Sequence, residues 1–462
     1  MSPLDAVVGG ATSYLAEAAL IGGEVVERVR IEIAPDGRIA ALRRNAEQAD
    51  EHLAGLVVPG IPNLHCHAFQ RAMAGLAERA GPEGDNFWRW REVMYRFLAA
   101  LTPEDVQAIA AQTYAEQVLQ GYTSVAEFHY LHNTPDGSPY ADPAELSLRI
   151  AAAAEAAGIG LTLLPVLYRQ GGFGAAPPAE GQRRFVLGVD AYVALCETMR
   201  RFVRVGVAPH SLRAVAPDDL ARAVALADAL GPVTPVHIHA AEQLREVEEC
   251  VAWSGARPLA WLLDHAPVDD RWCVVHATHI DDAERARLAA SGAVAGLCQT
   301  TEANLGDGIF PLRGYLAAGG RFGIGTDSNV SASPIEELRW LEYVRRLESR
   351  ARNVSETRVG ASVAAALLGR ATAGGAQALG RAAGEIAVGR MADLVVLDTA
   401  HPSLLGRDGL GLLDAWVFCG NTTPVRHVMV GGAWVVRYGA HLRAREIEAA
   451  FARTMRRLAG AL

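Results

Sequence analysis

Two histidines one residue apart, His65 and His67, close the apolar run Val58-Pro59-Gly60-Ile61-Pro62-Asn63-Leu64. In an extended strand alternate side chains share a face, so both imidazoles project together while Cys66 points away. A strand end of this kind offers two nitrogen ligands to one metal ion. Further on, His239 ends Val236-His237-Ile238-His239, and Asp327 ends Gly323-Ile324-Gly325-Thr326-Asp327. Three imidazoles and one carboxylate form a borderline-soft set that suits Zn²⁺ and tolerates Fe²⁺ or Mn²⁺. An open position on such an ion would hold a water whose pKa falls to about 7.

Other residues near these could move protons or bind anions. Glu242, three residues past His239, is spaced to carry a proton from the water to a leaving nitrogen; the competing role is a helix N-terminal carboxylate. His276, in Val274-Val275-His276, could orient the water or stabilise charge on a tetrahedral centre. His237 reads as a packed interior residue and His279 as structural. Arginine suits carboxylates because its planar fork bonds them in pairs, which singles out Arg213 and, within Asn86-Phe87-Trp88-Arg89-Trp90-Arg91, Arg91. The aromatic residues at 87, 88 and 90 read as packing.

Composition narrows the chemistry. All 43 basic residues are arginine, so Schiff-base chemistry, a P-loop and a lysine carboxylate bridging two metals are excluded, and the metal site is expected to be mononuclear. A formal net charge of -9 argues against nucleic-acid and anionic-membrane partners. The six cysteines contain no Cys-x-x-Cys pair and read as reduced thiols of a cytoplasmic protein. The stretch MSPLDAVVGG lacks a basic leader, and no apolar run of membrane length occurs.

The elements that must position these residues follow from periodicity. Apolar runs at Val57 to Leu64, Tyr122 to Glu127, Gly160 to Leu167, Phe202 to Pro209, Pro235 to Ile238, Trp272 to Val275, Ala293 to Cys298 and Arg321 to Gly325 alternate with helical stretches such as Pro103 to Gln120 and Pro217 to Leu230. That pattern predicts an α/β fold, a closed (β/α)8 barrel, with an open doubly wound sheet as the competitor. Polar residues fall just past the runs: His65 and His67, Tyr130, His210 and Arg213, His239, His276, Thr300-Thr301-Glu302 and Asp327. In a barrel all of them lie at the C-terminal face, where active sites form. Shorter Gly-punctuated β runs at both ends, with a Pro35-Asp36-Gly37 turn, predict a small β-sandwich built from both termini. The expected organisation is 1–57 and 381–440 for the two parts of the small domain, 58–380 for the barrel and 441–462 for a C-terminal helix.

These residues resemble the amidohydrolase superfamily, and more narrowly the N-formimino-L-glutamate deiminases of bacterial histidine degradation. The likeness runs from about residue 12 to 440. It rests on Leu64-His65-Cys66-His67-Ala68-Phe69-Gln70-Arg71-Ala72-Met73-Ala74-Gly75, Ala126-Glu127-Phe128-His129-Tyr130-Leu131-His132, Ala208-Pro209-His210-Ser211-Leu212-Arg213 and Thr300-Thr301-Glu302-Ala303-Asn304-Leu305-Gly306-Asp307-Gly308. Cys66 stands where serine is commoner and Gln299 where proline is expected. The resemblance implies one divalent metal, zinc by preference, on His65, His67, His239 and Asp327, with Glu242, His276 and Asp327 catalytic. It implies substrate contacts from Gln70, Arg91, Tyr130, His210 and Arg213, and a homodimer. The implied reaction converts N-formimino-L-glutamate to N-formyl-L-glutamate and ammonia through a metal-bound hydroxide. Competing readings are a deaminase of a purine or related heterocycle on the same barrel, and a non-catalytic binding protein on that scaffold.

Overall fold

The computed structural model describes residues 11–79 and 87–459. The leader reading at 1–10, Asn86 and the outer ends of the first and last expected segments lie outside the described residues. Within them, no helix is long and apolar enough to cross a membrane.

Parallel strands form two arcs. One runs through Ile61–Cys66, Tyr122–His129, Gly160–Leu167 and the pair Arg204–Val205 and Ala208–Pro209; the other runs through Val236–Ala240, Trp272–His276, Val294–Leu297 and Arg321–Ile324. These strands are buried almost throughout, as parallel strands covered by helices on one face must be. The arcs meet at two seams. Val207 and Ser211 pair with Val236 and His239 at one, and Cys66 pairs with Asp327 at the other. At the second seam the Asp327 N–H donates to the His65 carbonyl at 3.0 Å and the His67 N–H to the Asp327 carbonyl at 2.9 Å. The ring is therefore closed, and the open-sheet alternative fails.

Two strands differ from the periodicity reading. The run Val57 to Leu64 is not one strand: Glu51–Pro59 belongs to the small sheet, and the barrel strand starts at Ile61. Gly60 makes the break, because a Cβ there would sit 2.3 Å from the Thr123 side chain. The fourth run is interrupted at Gly206-Val207, where the chain changes partners from the Leu163 carbonyl to the Pro235 carbonyl. Phe202, at its start, is exposed and outside the strand.

The terminal segments share one eight-stranded sheet that folds over as a sandwich. Glu51–Pro59 joins the halves, pairing parallel with Thr12–Ile21 and antiparallel with Leu394–Leu397. Alternate inward residues, including Tyr14, Ile31, Ile39, Val57, Leu394, Val396 and Met429, enclose a separate apolar core. The Pro35-Asp36-Gly37 turn closes the hairpin between Glu24–Ile33 and Ile39–Arg43, with Gly37 at φ 78. Helix Pro103–Leu119 starts at a capping box in which Thr102 and Asp105 satisfy each other's backbone N–H.

Helix Val363–Ala378 lies against the first and eighth strands through small residues. A Cβ on Gly374 would stand 2.0 Å from the Phe322 carbonyl oxygen, and one on Gly375 3.0 Å from Pro62. Gly374→Ala must push the helix off the base of the eighth strand. Overpacking of this kind costs about 1–3 kcal/mol, so the urea midpoint is expected to fall. An unchanged midpoint would show that the helix slides without penalty.

Candidate active site

The strand ends bring His65, His67 and His239 together, with ligand nitrogens within 4.8 Å of one another and all three residues buried. His65 Nε2 lies 3.1 Å from His239 Nε2, and Asp327 Oδ1 lies 3.5 Å from His65 Nε2 and 3.3 Å from His67 Nε2. The outer nitrogens face backbone carbonyls: His67 Nδ1 is 2.8 Å from the Phe128 oxygen and His239 Nδ1 is 3.0 Å from the His210 oxygen. Since a carbonyl only accepts, each Nδ1 carries the proton and each Nε2 keeps its lone pair toward the cluster.

Burial holds these rings neutral. It lowers His65 to about 3 and depresses His67 and His239 as well. For Asp327 burial opposes ionisation, but the His65 hydrogen bond and the adjacent His67 ring outweigh it and hold the carboxyl below its usual range. Lone pairs and a carboxylate crowded this closely repel one another unless a cation sits between them. The donor set thus fits a divalent metal ion. Backbone strain marks the same strand ends: Ala241, His276, Ala277 and Asp327 have φ of 54, 67, 50 and 46. Such left-handed non-glycine residues are uncommon and collect at functional sites.

Beside the cluster, Glu242 lies between two cations. Arg213 Nη2 is 3.1 Å from Glu242 Oε2, and His276 Nε2 is 3.8 Å from Glu242 Oε1. Burial raises the Glu242 carboxyl, and His276 and Arg213 offset part of that shift. His276 is also 3.8 Å from Asp327 Oδ2, and its Nδ1 is 3.2 Å from Glu302 Oε1. Burial alone would lower His276, yet the Glu302 hydrogen bond with the Glu242 and Asp327 charges raises it to about 10. The helix-terminus reading of Glu242 falls to a neighbour: Glu246 accepts the backbone N–H groups of Ala241 and Glu242 at 3.1 and 3.0 Å.

A cavity of ≈ 550 Å³ opens over this group, lined by His67, Gln70, Arg91, Tyr130, His210, Arg213, His239, Glu242, His276 and Asp327 among others. Gln70 donates to the Tyr130 hydroxyl at 2.7 Å, leaving Gln70 Oε1 without a partner among the described residues. Arg213 Nε is buried and likewise unpaired. Arg91 stacks 4.5 Å over the Trp88 ring. His65, beneath the other rings, is fully buried and does not line the cavity.

Several expectations change in detail. Phe87, Trp88 and Trp90 were read as packing, but all three line the cavity, because their helix crosses the barrel mouth. His237 and His279 keep the structural places read for them: His237 bonds the Ala378 carbonyl at 2.8 Å and His279 the Asp307 carbonyl at 2.7 Å. Tyr168 also lines the cavity and was missed, although it follows the third strand directly, the one strand end given no residue. Trp253 and Arg245 reach the mouth from helix Leu244–Ser254, and no local signal marks them.

A family model described as "Amidohydrolase family" matches residues 56–435, and the chain belongs to that family. It is 55% identical over 437 residues to a formimidoylglutamate deiminase of Pseudomonas aeruginosa, covering 93% of this chain and 96% of that protein. It is 32% identical over 82% of its length to a 5-methylthioadenosine/S-adenosylhomocysteine deaminase of Natronomonas pharaonis, 81% of which is covered. Among solved structures, an amidohydrolase from Brucella melitensis superposes with a TM-score of 0.91 at 46% identity, covering 98% of this chain and 100% of that one.

If the four residues form the metal site, chelated protein should rebind a single divalent ion, and His67→Ala and His239→Ala should each lose it in elemental analysis. Full occupancy in either variant would remove that residue from the ligand set.

Proposed function

We propose that this chain hydrolyses N-formimino-L-glutamate to N-formyl-L-glutamate and ammonia, acting as a metal-dependent amidine hydrolase. The observation that carries the reading is the Glu242 carboxyl beside the His65, His67, His239 and Asp327 donors, in a cavity that also presents Arg213 and Arg91. Identity of 55% to a curated formimidoylglutamate deiminase supports the substrate. The name of the Natronomonas relative points to nucleosides, but that likeness is far weaker, and the arginines favour an acidic substrate.

A divalent ion held by the four donors, with zinc preferred, supplies Lewis acidity to the attacking water. Arg213 and Arg91, which line the cavity, hold the two carboxylates, so the amidine carbon sits over the donor cluster. Gln70, Tyr130 and His210 complete the contacts to the bound molecule. Glu242 takes a proton from the attacking water and gives it to the terminal imino nitrogen; the second water proton follows from the hydroxyl as the formyl carbonyl forms, and the nitrogen leaves as ammonia. His276, whose Nδ1 is 3.2 Å from Glu302, faces the negative charge that develops at the tetrahedral centre. Only the bond to the terminal nitrogen breaks, and the formyl group stays on the glutamate nitrogen.

Product analysis by NMR tests this directly: formylglutamate with ammonia is expected, whereas glutamate with formamide would mean that the other C–N bond breaks. Turnover of adenine or guanine compounds alone would sink the assignment. Glu242→Gln is expected to keep its metal and lose about 10²–10⁴-fold in kcat, the usual worth of a positioned acid–base group. Unchanged turnover removes Glu242 from the mechanism. Arg213→Met should lower kcat as well as raise KM, because Arg213 also braces Glu242; Arg91→Met should act on KM alone.

A further inference from the structure

The metal donors His67 and Asp327 sit on opposite sides of the seam between the first and eighth strands, and that seam is not a regular ladder. Its pairing shows a single isolated bridge, Cys66 to Asp327. Beside its two backbone hydrogen bonds, a buried amide spans it. Asn329, fully buried, donates from Nδ2 to the backbone carbonyl of His67 at 3.0 Å and to that of Asp327 at 2.9 Å. One side chain thus holds the main chain at two proposed ligands.

Everything around Asn329 fixes that amide. Its Oδ1 accepts from Thr326 Oγ1 at 2.7 Å, from Gln117 Nε2 at 3.0 Å and from Cys66 Sγ at 3.5 Å. The amide can therefore not flip without facing its oxygen to two carbonyls and its nitrogen to other donors. Asn329 has φ 59, a conformation that asparagine tolerates better than most residues. Asn63 extends the brace, accepting the Thr326 N–H at 3.1 Å and donating to Thr326 Oγ1 at 2.8 Å. Gly325 permits the approach, since a Cβ there would stand 2.8 Å from the His65 carbonyl oxygen.

We infer that Asn329 is a positioning residue that sets the spacing of the His67 and Asp327 strand ends and thereby governs metal retention. No aspartate, leucine or serine can replace it, because only a primary amide offers two donors to the carbonyls and an acceptor to the opposite side. Outer partners of metal ligands are typically worth 10–100-fold in affinity. The inference rests on the ligand set proposed above.

The test is chelator competition on apoprotein reloaded with zinc, with apoprotein melting followed in parallel. Asn329→Asp keeps volume and tolerance of the backbone conformation but loses both donors; Asn329→Gly also tolerates φ and removes the side chain. Each is expected to raise the zinc dissociation constant about 10–100-fold. Zinc affinity equal to wild type in the folded variants, with or without a lower melting temperature, overturns the inference and leaves Asn329 a purely structural residue. If Asn329→Asp does not fold, Asn329→Gly decides. If neither folds, Gln117→Met, which frees the Asn329 amide from the helix side, must weaken zinc binding or the inference fails. His67→Ala separates the two levels. Loss of zinc there with retention in the Asn329 variants defeats only this inference, while retention in both defeats the ligand set itself.

Discussion

Three imidazoles and a carboxylate are crowded together at the barrel mouth, and the architecture holds them there. His65 and His239 bring ring nitrogens to 3.1 Å, and Asp327 adds a carboxylate 3.3 Å from His67. None of these positions is one that isolated side chains would choose. They persist because each ring is tied on its far side to a carbonyl of another strand, or is walled in by Phe128. Closing the barrel is the precondition, since the donors come from the first, fifth and eighth strands, which meet only across the two seams. The left-handed φ values at Asp327 and His276 record what this arrangement demands of the backbone.

What the sequence reveals and what it hides divide along a physical line. His65, His67, His239 and Asp327 are legible because a strand has period 2 and ends abruptly: a polar residue just past an apolar run has few places to go except the barrel mouth. The same logic reaches His276 and Glu302, and it would have reached Tyr168. The break at Gly60 is not legible, because it depends on Thr123, whose position is set by another strand. Nor is the lining role of Trp88 and Trp90. An aromatic helix face reads alike whether it meets a core or a cavity, and only the crossing of the mouth decides. Asn329 escapes for a related reason: its partners at 66, 67, 117, 326 and 327 come from three separate stretches of the chain.

Arg213 lines the cavity as its place past a strand suggests, but its surroundings differ from that reading. As an arginine just past a strand it reads as a free fork for a carboxylate. In the structure it lies 3.1 Å from Glu242 and 3.8 Å from Glu246, with Nε left over. Under the proposed roles its charge would be shared between a bound carboxylate and the proton carrier Glu242, whose burial it partly offsets, so that binding and proton transfer would be coupled through one group.

That arrangement bears on how an acidic protein would hold a dianion such as the proposed substrate. The chain carries a formal charge of -9, and charges beyond about 10 Å are screened at ordinary salt, so attraction must arise inside the cavity. There three arginines, Arg91, Arg213 and Arg245, face three carboxylates, Glu242, Glu249 and Asp327, while His276 is hydrogen-bonded to Glu302 behind it. The side chains alone give a cavity close to neutral. A divalent cation on the donor cluster would tip it positive by two, the charge that a glutamate derivative with two ionised carboxylates would offset. Such an ion would do more than polarise water: it would supply the excess positive charge that the arginines, each already beside a carboxylate or an aromatic ring, do not provide.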